Sequence, residues 1–463
     1  MGVAVAAESE KRGAPRLRYN SPLVQVILIG FVCFCCPGMF NALNSMGGGG
    51  QVSKTASNNA NTALYATFAV FGVLGGGIYN LLGPRFTLLF GSSFYVLFAG
   101  SYLFYNHHQD AKGDAFNITA GALLGMGAGL LWAGQGAIMM SYPPERLKGR
   151  YISIFWSIFN LGAMIGGFLP FGLNYNRPNA QSVNDATYIG FMVIMSFGSL
   201  LTLALLTPDR VVRDDGSRVT AIRYSNPFTE GWEILKLFRT PKLLLLAPAC
   251  VASNFFYTYQ FNGFNASLFN VRTRGFNGVF YWGAQMLGAT VLGFLLDACH
   301  PRRKVRGFVG IAVVAVFGMV TWGGGLAKQL EYSRYDLPPE LDFKSGPEYA
   351  GPFILFVCYG LLDAMYQTLC YWTMGALTDD ALALSRCAGF YKGVQSAGAA
   401  VAWQLDAHKV RFLVQLLVNW GLLVLSVPLL MLIMKDVKDS CAGDAPLTAE
   451  SSTKDGETAK ETV

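Results

Sequence analysis

The stretch that most constrains this chain is Gly76-Gly77-Ile78-Tyr79-Asn80-Leu81-Leu82-Gly83-Pro84-Arg85-Phe86. It reads as the end of one membrane helix, a very short turn and the start of the next. Far downstream, Gly293-Phe294-Leu295-Leu296-Asp297-Ala298-Cys299-His300-Pro301-Arg302-Arg303 repeats it without a gap. Gly76 aligns with Gly293, Asn80 with Asp297, Pro84 with Pro301 and Arg85 with Arg302, all at one spacing. A helix hairpin repeated roughly half a chain away implies two homologous halves, the signature of a duplicated membrane transporter fold. Each residue type has a physical role. Gly lets two helices approach closely. Asn80 or Asp297 can accept hydrogen bonds at a helix end. The arginines anchor the turn on the cytoplasmic side.

Composition supports a bilayer environment. The chain is 52% apolar and only 14% charged, where a soluble domain carries about 25% charged residues. Its 53 Gly and 34 Phe suit tightly packed helices in lipid. A span needs about 20 apolar residues. Twelve are predicted, at 23–46, 59–82, 86–105, 117–141, 151–173, 187–207, 243–266, 277–298, 307–327, 352–376, 386–406 and 410–434. The fold expected is therefore all-α and polytopic. Its parts are an N-terminal tail (1–21), a six-helix half (22–207), a linker (208–241), a second six-helix half (242–435) and a polar tail (436–463) that reads as disordered.

The net charge of +7 does not point to nucleic acid, because the basic residues cluster in particular loops. Lys11, Arg12, Arg16, Arg18, Arg85, Arg146, Lys148, Arg150, the Arg210–Lys242 segment and Arg302–Arg306 fall on one side. By the positive-inside rule that side is cytoplasmic, with both termini. The two N-glycosylation sequons, at Asn117 and Asn265, fall on the other side. Within the linker, Phe228 to Phe238 has an amphipathic pattern suited to an anionic leaflet. Eight of the nine Cys fall in or beside apolar segments, without zinc-site spacing or a disulfide framework.

The order Gly76, Asn80, Gly83, Arg85, echoed by Gly293, Asp297 and Arg302, resembles the cytoplasmic signature of the major facilitator superfamily. The resemblance implies a twelve-helix fold of two six-helix halves, with helices 1, 4, 7 and 10 around a central cavity. Asn80 departs from the usual Asp, so a charge-paired cytoplasmic latch is expected mainly at Asp297. The run Ser141-Tyr142-Pro143-Pro144-Glu145-Arg146-Leu147-Lys148-Gly149-Arg150-Tyr151-Ile152-Ser153-Ile154-Phe155-Trp156-Ser157-Ile158-Phe159-Asn160-Leu161-Gly162 resembles the Unc-ninety-three-like, ion-channel-regulatory branch of that superfamily, especially its fungal members. Asn41 to Gly50 and Asn58 to Tyr65 are similar to it too. That branch includes proposed solute transporters, a channel-associated regulator and a trafficking chaperone. Arg150 and Gly162 find weaker counterparts in Arg386 and Gly398, a second echo between the halves.

Polar stripes mark candidate cavity walls. Asn254, Tyr257, Thr258 and Asn262 share one helix face, as do Asp363, Tyr366, Gln367 and Tyr371. Asn41 and Asn44 in the first span, and Trp132 and Gln135 in the fourth, are further candidates. Polar groups facing lipid are costly, so these faces point at protein or water; interhelical hydrogen-bond glue is the competing reading. Asp363 is the sharpest candidate, since a mid-membrane carboxylate costs at least ~2.5 kcal/mol on insertion scales. Lys392 is its natural partner, but roughly 10 Å of depth separates the two at about 1.5 Å per residue, so a direct pair is not expected. No hydrolase elbow, phosphate loop or metal-ligand pair appears; the Gly47–Gly50 run fits close packing or an outer gate. No enzyme activity, cofactor or metal is expected. The expected partners are the bilayer, an unidentified small solute and, for a non-transporting regulator or chaperone, another membrane protein.

Overall fold

The computed structural model describes residues 18–51, 53–143, 147–213, 216–219, 227–300, 302–378 and 381–437. Twelve helical segments follow one another: α1 (Pro22–Ser45), α2 (54–82), α3 (84–107), α4 (Ala111–Ser141), α5 (Lys148–Leu173), α6 (Asp185–Ala204), α7 (241–268), α8 (Val271–Ala298), α9 (Arg303–Gln329), α10 (Pro347–Leu377), α11 (Ala381–Ala407) and α12 (Phe412–Lys435). A linker helix, Pro227–Lys236, lies between α6 and α7. Among the described residues, nine helices are long and apolar enough to cross a membrane. The other three crossings have visible reasons to fall short. α2 and α11 are diluted by polar side chains, and the regular helix of α7 runs only from Pro241 to Phe255 before the chain passes into a π-helical turn at Tyr259–Asn265. Several helices begin earlier than their apolar cores predict, because polar first turns such as Asn270, whose side chain caps Thr273 N, precede the apolar run.

The repeated hairpin takes a definite shape. Helix α2 runs into α3 with one non-helical residue, Gly83 (φ 73°, ψ 168°), a backbone region open to Gly and strained for other residues. Pro84 then supplies a first-turn φ and needs no N–H partner. The Thr87 hydroxyl donates to the Gly83 carbonyl at 2.7 Å. The Arg85 Nε donates to the Leu205 carbonyl at 2.6 Å, tying the hairpin to the end of α6. The second copy is tied differently. Arg302 uses its backbone N–H on His300 Nδ1 at 3.0 Å, while the guanidinium of the next residue, Arg303, reaches the Gly375 carbonyl on α10. The contact equivalent to that of Arg85 on α6 is made by Lys304, whose Nζ donates to the Lys435 carbonyl at the end of α12 at 2.6 Å.

Among the described residues the expected latch at Asp297 has no partner. Its side chain is exposed, and no ion pair to it exists among the described residues. Arg306 bonds its backbone carbonyl instead. The Asn80 side chain, Arg146, Pro301 and both tails' outer parts (1–17 and 438–463) lie outside what is described.

Two buried cores form, one per half. The halves meet where α2 packs on α11 and α5 on α8. Gly167 and Gly275 permit the second contact: a Cβ on Gly167 would sit 2.9 Å from the Val279 nitrogen, and one on Gly275 2.8 Å from the Phe171 nitrogen. The Cys33, Cys35 and Cys36 thiols are free and buried, and Cys35 and Cys36 pack α1 against α6. The linker helix crosses the seam at the basic end, touching both α2 and α11. At the opposite end, the 330–346 loop is bound down. Leu341 N donates to the Leu268 carbonyl, and Asn270 N to the Leu341 carbonyl. Asp342 holds Arg272 at 2.7 Å.

Candidate functional site

Polar residues inside the molecule gather in three layers. The middle layer surrounds Asp363 of α10, which is 1% exposed. Its Oδ1 accepts from Gln367 at 2.6 Å. Its Oδ2 accepts from the Tyr281 hydroxyl at 3.2 Å and from Gln285, both on α8. The single Tyr281 O–H is shared with the Gln260 Oε1 of α7, the nearer acceptor at 2.6 Å. A carboxylate in hydrocarbon requires such partners. Lys392 of α11 connects indirectly: its Nζ donates to Gln395 at 2.9 Å, Gln395 donates to the Gln367 Oε1 at 3.4 Å, and Gln367 donates to Asp363. Two glutamines therefore stand between the lysine and the carboxylate. Gln395 also joins Ser253 and Tyr391.

The second layer seals the end opposite the basic face. Asp406, at the last turn of α11, is fully enclosed and ion-paired to Arg334 from the 330–346 loop. Asn58 of α2 donates to Asp406 Oδ2 at 2.7 Å. Asn262 of α7 donates to the same oxygen at 2.9 Å and to Asn58 Oδ1 at 2.7 Å. Gln415 of α12 donates to Asp406 Oδ1 at 3.0 Å. Arg334 also lies 4.0 Å over the Phe412 ring. Across the same seam, Lys54 Nζ reaches the carbonyls of Asn262 and Ala266 and the Ser267 hydroxyl, each at 3.3 Å. Gly48 N donates to Asn262 Oδ1 at 2.7 Å. All four glycines of the 47–50 run have positive φ, and a Cβ on Gly47 would come within 2.5 Å of the Phe261 carbonyl. The run is a close-packed seal between the halves.

The third layer is a cavity of about 120 Å³ at the basic end of the seam. Trp132, Phe68, Glu230, Arg386 and Lys392 project into it, over a floor of small residues such as Gly72 and Gly136. Glu230 comes from the linker helix and grips Arg386 of α11 with two bonds, at 3.0 and 3.3 Å. Lys392 lies 5.5 Å from the Trp132 ring, linking α11 of one half to α4 of the other.

The sequence-predicted residues divide among these layers. Asp363, Gln367 and Lys392 join one hydrogen-bonded chain, and the Tyr257 hydroxyl accepts from Gln367 at 3.5 Å. Tyr371 packs on Tyr391 at 4.8 Å. Asn254 faces Tyr65 across the seam. Asn262 departs from its expected stripe, because it lies within the π-helical turn Tyr259–Asn265, which carries it into the seal. Tyr366 and Thr258 point into packed protein. Asn44 accepts from Asn61 at 3.2 Å, the interhelical glue that was the competing reading. Asn41 is half-buried on α1, and Gln135 is buried on α4. Gly76 lines the cavity.

Both sequons are corrected. Asn117 lies inside α4 and Asn265 in the α7 turn, each 0% exposed. Asn265 is occupied by Ser45 and Asn277. A glycan acceptor must be reachable, so neither is one in this fold. Residues that sequence reasoning passed over are Asp406, Arg334, Lys54, Asn58, Tyr281, Gln285 and Glu230. Asp406 was visible as an acid near the end of an apolar span. Arg334 and Glu230 lie in connecting segments, and nothing local marked them as reaching the seam.

Comparison with known proteins places these features in context. Residues 48–321 match the family described as ion channel regulatory protein UNC-93. UNC93-like protein 1 of Arabidopsis thaliana is 61% identical over 92% of this chain and 93% of its own. An UNC93-like protein of Schizosaccharomyces pombe is 40% identical over 88% of this chain and 81% of its own. The expected fungal affinity is thus not supported, since identity is higher to the plant protein. Among solved structures, the E. coli xylose transporter XylE in a partially occluded inward open conformation matches at TM-score 0.60 with 12% identity, over 91% of this chain and 98% of that one. The nucleoside transporter NupG matches at 0.59 with 11% identity, over 89% and 100%. Both likenesses establish the facilitator fold.

Proposed function

We propose that this chain, which belongs to the UNC-93 family, is a secondary transporter of a small solute, its two halves rocking about a midplane site. One observation carries the reading: the polar network around Asp363 and Lys392 lies between a sealed end and an end with a cavity. Across the seam the seal consists of hydrogen bonds that a rocking motion would separate: Asn58 with Asp406 and Asn262, Gly48 with Asn262, and Lys54 with Asn262, Ala266 and Ser267. Such contacts can exchange for water, whereas an apolar core of equal extent would hold the halves together. Bound solute would bias the two arrangements through its differential contacts in each.

In this reading Asp363, Gln367, Gln285 and Tyr257 position the solute, and Lys392 and Trp132 close the wall across the seam. Both termini and the linker are cytoplasmic, as the Lys and Arg distribution favours. The test compares metabolites of cells lacking and overexpressing the protein, then reconstitutes flux of any that differ. Asp363→Asn and Tyr257→Ala should lower flux at least about tenfold, the scale of one charge-assisted hydrogen bond, at unchanged membrane abundance. Wild-type flux in both variants sinks the site assignment.

A second reading has one observation in its favour: the matching family is described by ion-channel regulation. As a non-transporting regulator, the protein would capture a stoichiometric membrane partner and show no flux in vesicles.

A further inference from the structure

We infer that the cavity at the basic end selects a small organic anion, with Lys392 as its charge anchor, Trp132 as its flat wall and Glu230 of the linker helix as a built-in competitor. The inference rests on the transport reading of this seam and gives its solute a chemical class.

Among the described residues, three that line the cavity are charged: Glu230, Arg386 and Lys392. Two cations face one carboxylate, and that carboxylate is already held by the Arg386 guanidinium. Lys392 is therefore the cation left to recruit a charge. Among the described residues its ammonium has one polar contact, the 2.9 Å bond to Gln395, and an ammonium has three N–H donors. Asp363, the acid beyond, is separated from it by two glutamine side chains. A cation at the wall of a low-dielectric cavity without an adjacent counterion attracts an anion strongly, because burial weakens the competition from water.

Shape narrows the class further. Trp132 stacks on Trp156 at 6.1 Å and 28°, which fixes its ring as a rigid wall. Phe68 and Gly72, Gly76, Gly129 and Gly136 leave an apolar bed beside it. A cavity of about 120 Å³ suits a compact monoanion with a flat or short apolar body rather than a sugar or a nucleotide. Glu230 reaches this place only because the linker helix crosses the seam. Its side chain is 5% exposed, and its carboxylate presents to Arg386 the group a bound solute would present. An arriving anion would compete with it and could lift the linker helix from the cavity mouth.

The experiment titrates purified full-length protein in nanodiscs with benzoate, benzylamine and benzyl alcohol, followed by tryptophan fluorescence and thermal unfolding. Benzoate should give a saturable response that the cationic and neutral analogues do not. Lys392→Gln should weaken benzoate at least about tenfold, while Lys392→Arg, which keeps the charge, should retain most of the response and controls for folding. Glu230→Gln should tighten benzoate. The inference is overturned if no response to benzoate appears, if benzylamine or benzyl alcohol equals it, or if Glu230→Gln weakens it as Lys392→Gln does. Binding is read without flux, so benzoate binding by a protein that moves nothing would sink the transport reading and leave this one standing. Flux of a cation without benzoate binding would do the reverse.

Discussion

At the scale of single residues, Asp406 holds more of the structure than any sequence pattern announced. It collects Arg334, Gln415, Asn58 and Asn262 from four different segments. Arg334, Gln415 and Asn262 belong to the same half as Asp406, so its bond across the seam is the one from Asn58, and a hydrogen bond to a charged group is worth about 1.5–3 kcal/mol. Asp406→Ala is therefore expected to loosen this end of the seam, raising impermeant-maleimide labelling of a cysteine placed at Tyr65, which faces Asn254 across the seam, at least about tenfold. Unchanged labelling would show that the seal does not depend on this bond. Gly47→Ala should loosen the same end, since its Cβ would overlap both the Ala266 side chain and the Phe261 carbonyl; the same labelling assay reads it. Asp363 was legible because a mid-membrane acid is rare and demands partners. Its actual partners on α8 were not, since Tyr281 and Gln285 belong to no stripe and meet Asp363 only through packing.

At the scale of elements, the twelve spans and the hairpin turns could be read from apolar run length, Gly and Pro. The face each helix presents could be read only where its period held. The π-helical turn in α7 defeated a stripe drawn at 3.6 residues per turn, and sent Asn262 to the seal. The connecting segments were the least legible. The linker helix buries Glu230 and Ile234 and leaves Phe228, Trp232 and Leu235 at least half exposed. An exposed row of that kind suits the lipid interface. Vesicles with brominated lipid should therefore quench a protein whose only tryptophan is Trp232; absence of quenching would remove this helix from the membrane surface.

The 330–346 loop makes a separate prediction. Burial works to raise the Asp342 pKa, but bonds from Arg272, Asn270 and the Lys344 N–H outweigh it and hold the carboxyl below its ordinary value. A carboxylate whose folded pKa is depressed contributes stability that is present above its unfolded pKa, about 3.9, and lost as pH falls through the lower folded value. Protease access to this loop should hence rise only below about pH 4, and Arg272→Ala should move that rise upward.

At the scale of the whole molecule, the duplicated hairpin identified two halves, and the fold has them. The copies are not equivalent in detail. Arg85 ties the first hairpin to α6 and Lys304 ties the second to α12, but Arg303 adds a tie to α10, and among the described residues Asp297 has no ion pair. On the transport reading, a dense polar seal at one end, with Asp297 lacking an ion pair among the described residues at the other, describes one member of a pair of arrangements. Rocking requires a second arrangement in which the two ends exchange roles. Spin-label distance measurements test it most directly. One label pair sits at the sealed end, on Gln109 and Lys409, and one at the basic end, on Leu81 and Arg302, in a background without other reactive cysteines. On Asp406→Ala substitution the account predicts a longer component at the sealed end and a matching shorter component at the basic end. A change at one end alone, or at neither, would contradict it.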